Sequence, residues 1–144
     1  MRGNLRLFQS KKGYRTSIDS LLLPFIATTH LPTLLPLHTS HIRGQAETSE
    51  KVVTDIGCGC GMMSLLFKLH NPSSYLLLLE KQEQMLQRSL KNLEVNGVRR
   101  HHFRPFLVDI DREFVHTYAC MKGVADVVLM NPPFYPQRSF KNIE

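Results

Sequence analysis

Short hydrophobic runs alternate with segments of helical periodicity from residue 51 to residue 130. Aliphatic and β-branched runs bounded by glycine or turn residues predict four buried strands, at 51–56, 75–79, 106–108 and 126–130. Apolar residues three and four positions apart predict the helices between them, at 63–70, 82–95 and about 112–122. Strands separated by helices predict an α/β fold with a parallel, doubly wound sheet, for which we expect the strand order 3-2-1-4.

The first fifty residues follow a different pattern. An apolar stripe predicts one buried face of a helix, formed by Ile18, Leu21, Leu22 and Phe25. Ser17 or Asp19 can cap this helix, and Pro24 is tolerable because it lies near the first turns. Prolines and a polar run from 28 to 50 then predict a long surface loop.

The fourth predicted strand needs a covering neighbour that the predicted sheet does not supply. Residues 127–130 are all hydrophobic, which predicts burial on both faces, yet the order 3-2-1-4 makes this strand an edge. The chain also ends fourteen residues after Met130. We therefore expect an N-terminal fragment that lacks C-terminal strands, or a partner that covers this edge. Residues 1–50 would form a basic arm, helix and loop, and 51–144 an incomplete core.

Composition and charge narrow the class of protein. Hydrophobic residues make up 42% of the chain, yet no apolar run reaches the about 20 residues of a membrane span. Three cysteines do not make a disulfide framework, which favours a cytoplasmic location, and Cys58 and Cys60 lack the further spaced ligands of a zinc site. The formal charge of +6 favours a polyanionic partner, most commonly nucleic acid.

A glycine-rich turn follows the first predicted strand and opens a helix. Glycines let the backbone turn tightly and approach a ligand without an intervening side chain. A dinucleotide-binding fingerprint would need glycine at position 62, where this chain has Met62. The spacing of Gly57, Gly59 and Gly61 after Asp55 instead resembles motif I of class I S-adenosylmethionine-dependent methyltransferases. This resemblance implies a Rossmann-like sheet with S-adenosylmethionine as cofactor.

Acidic residues end the second and third predicted strands. Glu80 lies 23 residues after Gly57, where a carboxylate can accept hydrogen bonds from ribose hydroxyls. The resemblance implies that Glu80 binds the cofactor ribose and Asp109 the adenine amino group. Together with the glycine turn, the resemblance implies a cofactor site formed by Asp55, Gly57, Gly59, Gly61, Glu80 and Asp109.

The motif Asn131-Pro132-Pro133-Phe134-Tyr135 follows the fourth predicted strand. An exocyclic base amine is a poor nucleophile because its lone pair is delocalised into the ring. The Asn131 side-chain oxygen and the Pro132 carbonyl could accept its two hydrogens, while the prolines stiffen the loop and Phe134 stacks on the base. This pattern resembles methyltransferases of adenine N6, guanine N2, cytosine N4 and glutamine N5, among which the motif does not choose.

The N-terminal segment favours one of these substrates. Phe8-Gln9 and the stretch from Gly13 to Leu23 resemble the start of the bacterial tRNA1(Val) adenine-N6 methyltransferase family. The resemblance spans residues 8–27 and 52–135 and implies methylation of adenine N6 in tRNA near the anticodon. We also expect substrate contacts at Tyr135 and, through RNA phosphates, at Lys11, Lys12 and Arg15.

Other functions remain open at this point. A protein glutamine-N5 methyltransferase or a ribosomal RNA base-amine methyltransferase would share the glycine turn and the Asn-Pro-Pro motif. The basic charge and the stretch from Gly13 to Asp19 favour RNA over protein. A truncated, inactive module that pairs through the fourth strand is a further alternative.

Overall fold

The computed structural model describes residues 5–11, 16–34, 50–110 and 122–132, without the side chains of 30–34. The described elements are α1 (Ile18–Leu34), β1 (Val52–Ile56), α2 (Met62–His70), β2 (Tyr75–Glu80), α3 (Glu83–Val95), β3 (Phe103–Leu107) and β4 (Val127–Met130). All strand pairs are parallel, and the sheet order is β3-β2-β1-β4. The predicted fold class and strand order are therefore confirmed. The helix predicted at about 112–122 lies almost wholly outside the described residues.

The core lies around the two central strands, β1 and β2. The run of four leucines in β2 is buried throughout, as expected for a strand with a neighbour on each side. Side chains of β1, α2 and α3 complete one cluster, which includes Val53, Leu65, Phe67 and Leu93. Burying each large apolar side chain stabilises the fold by about 1.5–3 kcal/mol relative to exposure.

Helix α1 presents the opposite face from the one that its apolar stripe predicted. Ile18, Leu21, Leu22 and Phe25 are exposed, whereas Ser20 and Pro24 are buried. The small residues Ser20, Pro24 and Ala27 share one face because they lie four and three positions apart, and α1 packs against α2. The prediction of a buried apolar stripe is thus wrong, since a periodic pattern alone does not say which face meets the core.

Helix α1 is also longer than predicted. It continues to Leu34, so the first part of the predicted loop is helical. The hydroxyls of Thr28 and Thr29 both donate to the Phe25 carbonyl oxygen, at 2.8 and 3.0 Å. These bonds let polar side chains stay within a helix, which explains why the polar pattern was misleading. No described helix is long and apolar enough to cross a membrane.

The two outer strands differ from their predictions. Val128 and Met130 of β4 are more than half exposed, so the described residues do not cover both faces of this strand, and its coverage by further strands or a partner stays a prediction. β4 pairs with β1 and lies at the edge of the described sheet; a hydrophobic run does not by itself specify what covers its faces. β3 begins at Phe103, three residues earlier than predicted, because Pro105 is accommodated in an edge strand. The division of the chain at residue 50 stays a prediction.

We expect Gly61→Ala to destabilise the protein strongly. Gly61 has a φ of 77°, and an added Cβ would lie 2.8 Å from the Ser89 Cβ in α3. The left-handed backbone costs about 1–2 kcal/mol for alanine, and the overlap with α3 adds about 1–3 kcal/mol. Urea unfolding measures the loss in the free energy of unfolding. The matched control is Gly97→Ala, where φ is 79° but no atom lies within 4 Å of the position of an added Cβ. If both variants lose the same free energy of unfolding, the predicted overlap between the Cβ added at Gly61 and α3 is contradicted.

Candidate active site

A cleft lies at the carboxyl ends of the parallel strands. Its volume is about 670 Å³, within the range of about 300–1,000 Å³ that is typical of small-molecule sites. Ligands of such sheets bind where the strand order reverses, which here is between β1 and β4. The structure brings six of the predicted site residues to this cleft, namely Gly57, Gly59, Glu80, Asp109, Asn131 and Pro132.

The glycine turn after β1 forms one wall of the cleft. The backbone amides of Gly57 and Cys58 donate to the Leu79 carbonyl oxygen at 2.8 and 3.0 Å, which holds the turn against the end of β2. Gly57 has a φ of 68°, and no atom lies within 4 Å of the position that a Cβ would occupy. A ligand can therefore approach the backbone closely at this point.

Glu80 joins this turn to the end of β2. Its Oε2 accepts a hydrogen bond from the Gly59 amide and its Oε1 one from the Gln82 amide, both at 2.9 Å. Each carboxylate oxygen has two lone pairs, so each keeps a further acceptor position. Glu80 can thus hold the glycine turn and still accept hydrogen bonds from the two hydroxyls of a ribose.

Asp55 lies beneath the turn and does not line the cleft. Its Oδ2 accepts hydrogen bonds from the Ser64 amide at 3.2 Å and the Ser64 hydroxyl at 2.6 Å. Burial raises the pKa of Asp55 to about 6, although the hydrogen bonds from Ser64 act in the opposite direction. Its Oδ1 is buried without a hydrogen-bond partner among the described residues. A direct contact of Asp55 with the cofactor stays a prediction.

Asp109 stands at the mouth of the cleft. Its side chain is 68% exposed, and its Oδ2 lies 3.8 Å from Lys81 Nζ. Such an exposed ion pair contributes little to stability, so a ligand can compete for the carboxylate at small cost. Apolar side chains line the cleft nearby and could contact a flat ring, including Met85, Val108 and Ile110.

Asn131 follows β4, and its amide nitrogen is directed toward α1. Nδ2 donates to Ser20 Oγ at 3.0 Å and to Ser17 Oγ at 3.3 Å. Sequence reasoning considered Ser17 only as a helix cap and missed Ser20. Both serines belong to the stretch from Gly13 to Leu23 that resembles a methyltransferase family. That resemblance was the sequence signal that could have indicated a role for them. Pro133, Phe134 and Tyr135 of the motif lie outside the described residues.

Asn92 of α3 and Asn96, which directly follows that helix, hold the N-terminal segment. Asn96 accepts a hydrogen bond from the Arg6 amide at 3.0 Å and donates to the Arg6 carbonyl at 2.7 Å. Asn92 accepts from the Phe8 amide at 2.7 Å and donates to the carbonyl oxygens of Phe8 and Cys60, at 3.0 and 2.7 Å. Asn92 thereby joins the N-terminal segment to the glycine turn, a role that sequence reasoning missed.

The structure describes one of the three predicted basic contacts. Lys11 does not line the cleft, and Lys12 and Arg15 lie outside the described residues. Cys58 and Cys60 are both free thiols. Within the described ranges, no group of three or more His, Cys, Asp or Glu side chains could hold a metal ion.

Comparison with known proteins identifies the family of this chain. The profile described as methyltransferase small domain matches residues 37–143. A curated relative, ribosomal RNA small subunit methyltransferase C of Shigella flexneri, is 29% identical over 71% of this chain, which spans 25% of that protein.

Solved structures share the fold. The N-terminal domain of human METTL16 in complex with SAH matches with a TM-score of 0.57 at 17% identity, covering 92% of this chain and 48% of that one. The human METTL16 catalytic domain in complex with the MAT2A 3′UTR hairpin 6 matches with a TM-score of 0.59 at 17% identity, covering 93% and 40%.

The described residues fit S-adenosylmethionine. The space above Gly57 admits a ligand close to the backbone, Glu80 keeps acceptor positions for a ribose, and Asp109 lies beside apolar side chains suited to an adenine ring. S-adenosylmethionine is the cofactor of class I methyltransferases, whose fold this chain shares. With a profile match over most of its length, the chain belongs to the methyltransferase small domain family of S-adenosylmethionine-dependent methyltransferases.

Proposed function

We propose that the chain methylates an exocyclic base amine in RNA, with adenine N6 as the first candidate. The observation that carries this proposal is the placement of Asn131 and Pro132 in the same cleft as the glycine turn and Glu80. Because the Asn131 amide nitrogen donates to Ser20, its oxygen is directed to another side, where it can accept a hydrogen from an amine.

The chemistry follows from these acceptors. When bound, S-adenosylmethionine supplies an electrophilic methyl group on a sulfonium sulfur. Asn131 Oδ1 and the Pro132 carbonyl accept the two amine hydrogens, which localises the nitrogen lone pair and orients it toward the methyl carbon. Methyl transfer would form the N–C bond as the S–C bond breaks, and the methylated nitrogen would then release one proton to water. No strong general base is needed, because the methylated amine is acidic until that proton leaves.

Several observations support RNA as the substrate. The chain has a net charge of +6, which favours a polyanion over a protein. The curated relative is named for ribosomal RNA, and a METTL16 structure contains an RNA hairpin. The N-terminal stretch resembles tRNA adenine-N6 methyltransferases, whereas the relative's name favours small-subunit ribosomal RNA as a second candidate. In either case we place the reaction in the cytoplasm.

Methyl transfer from labelled S-adenosylmethionine tests the proposal. The purified chain is incubated separately with unmodified tRNA, small-subunit ribosomal RNA and a release factor, and the products are digested and identified by mass spectrometry. N6-methyladenosine in tRNA is the expected product. A methylated base amine in ribosomal RNA alone would favour the second candidate. Methylglutamine, or no transfer by a folded chain that binds S-adenosylhomocysteine, would contradict the proposal.

A further inference from the structure

We propose that Ser20, assisted by Ser17, is a positioning residue that sets the orientation of the Asn131 side-chain amide. This inference rests on the function proposed above, because it concerns how Asn131 becomes an acceptor. Ser20 Oγ accepts a hydrogen bond from the Asn131 side-chain nitrogen at 3.0 Å, and the two residues lie 111 positions apart in the sequence. The pair therefore joins α1 directly to the residue that follows β4.

Orientation matters because an asparagine amide has two chemically opposite ends of similar size. Its oxygen can accept a hydrogen from a base amine, whereas its nitrogen would place a donor against a donor. A rotation of the amide by 180° would thus convert an attractive contact into a repulsive one with little change in shape. The site needs a group that distinguishes the two ends.

A serine hydroxyl can donate or accept, so something must fix its polarity. The Ser17 hydroxyl donates to Asp19 Oδ2 at 3.4 Å. Since an ionised carboxylate only accepts, this bond directs the Ser17 hydroxyl hydrogen to Asp19, and the Ser17 oxygen accepts a hydrogen bond from Asn131 Nδ2 at 3.3 Å. The hydrogen bonds from Asn131 to Ser17 and from Ser17 to Asp19 therefore favour the orientation in which the amide nitrogen faces α1.

Burial makes the contact with Ser20 the stronger of the two. Ser20 is only 7% exposed, so water cannot easily replace its hydrogen bond to Asn131. This role also explains why a polar residue occupies the inward face of α1 beside Pro24. Orientation of the Asn131 amide would thus be a physical role for the stretch from Gly13 to Leu23, which resembles a methyltransferase family.

The first test follows the amide itself and does not require activity. In the 15N-labelled chain bound to S-adenosylhomocysteine, the Asn131 side-chain NH₂ signals are assigned by their loss in Asn131→Asp. We expect Ser20→Ala to speed hydrogen exchange of these protons by about tenfold or more. The matched control is Ser74→Ala, which removes a buried hydroxyl that donates to the Asn71 carbonyl at 2.8 Å, at the opposite end of the sheet. Equal exchange in wild type and Ser20→Ala would overturn the proposal.

The second test uses methyl transfer in two backgrounds. Ser20→Ala should lower kcat by about tenfold with Asn131 present, while the Kd of S-adenosylhomocysteine changes by less than about twofold. In the Asn131→Asp background the same substitution should change kcat by less than about threefold, because a carboxylate presents an acceptor at both ends. Equal losses in both backgrounds, or a parallel loss of cofactor affinity, would show a merely structural role and overturn the proposal.

The two proposals fail in different ways. If the wild-type chain methylates no RNA, the proposed function is contradicted, and the exchange experiment still decides whether Ser20 orients Asn131. If RNA is methylated but Ser20→Ala behaves as wild type in both tests, the positioning role is contradicted and the function stands.

Discussion

Replacing Asn131 with alanine is expected to lower kcat for RNA methylation by about 100- to 1,000-fold, the cost of losing one aligned donor or acceptor at a reacting group. The Kd of S-adenosylhomocysteine should change by less than about twofold, because Glu80 lies at the end of β2 and the glycine turn follows β1, whereas Asn131 follows β4. Single-turnover methylation and calorimetric titration measure the two quantities.

The control for this variant is Asn71→Ala. Asn71 caps α2, where its Nδ2 donates to the Phe67 carbonyl oxygen at 3.2 Å, and it does not line the cleft. We expect it to retain kcat within about threefold at a temperature where it is folded. A normal rate in Asn131→Ala would refute the role of this amide as an acceptor for the amine.

Replacing Glu80 with alanine is expected to weaken S-adenosylhomocysteine binding by about 100-fold or more. The substitution removes the acceptor positions offered to the ribose and also releases the Gly59 and Gln82 amides. Hydrogen bonds to a charged group contribute about 1.5–3 kcal/mol each, and each 1.4 kcal/mol corresponds to about tenfold in Kd. Calorimetric titration of the ligand into the full chain measures the change.

The matched control for this variant is Glu94→Ala. Glu94 also carries a carboxylate, but it is exposed on α3 and lies 3.7 Å from Lys91 Nζ. Its removal should change affinity by less than about twofold. Urea unfolding of both variants separates loss of the site from loss of the fold. If Glu80→Ala binds the ligand as wild type does while remaining folded, the ribose contact is refuted.

Sequence patterns alone predicted the order of the described strands and helices, the position of the glycine turn, Glu80 at the end of the second strand and Asn131 directly after the fourth. These features are local. Buried runs, helical spacing and glycine punctuation reflect short-range preferences, and parallel strands necessarily bring their carboxyl ends to one edge. The sheet order β3-β2-β1-β4 and the cleft at that edge therefore agree with prediction.

Which faces are covered and which side chains come into contact could not be predicted from the sequence and depends on how the elements pack. The apolar stripe of α1 is exposed and Ser20 is buried, because the helix packs through small residues that its hydrophobic pattern did not single out. The Ser20–Asn131 and Asn92–Phe8 hydrogen bonds join residues 111 and 84 positions apart. Contacts at such separations leave no periodic signal in the sequence, since they depend on how distant elements pack in space.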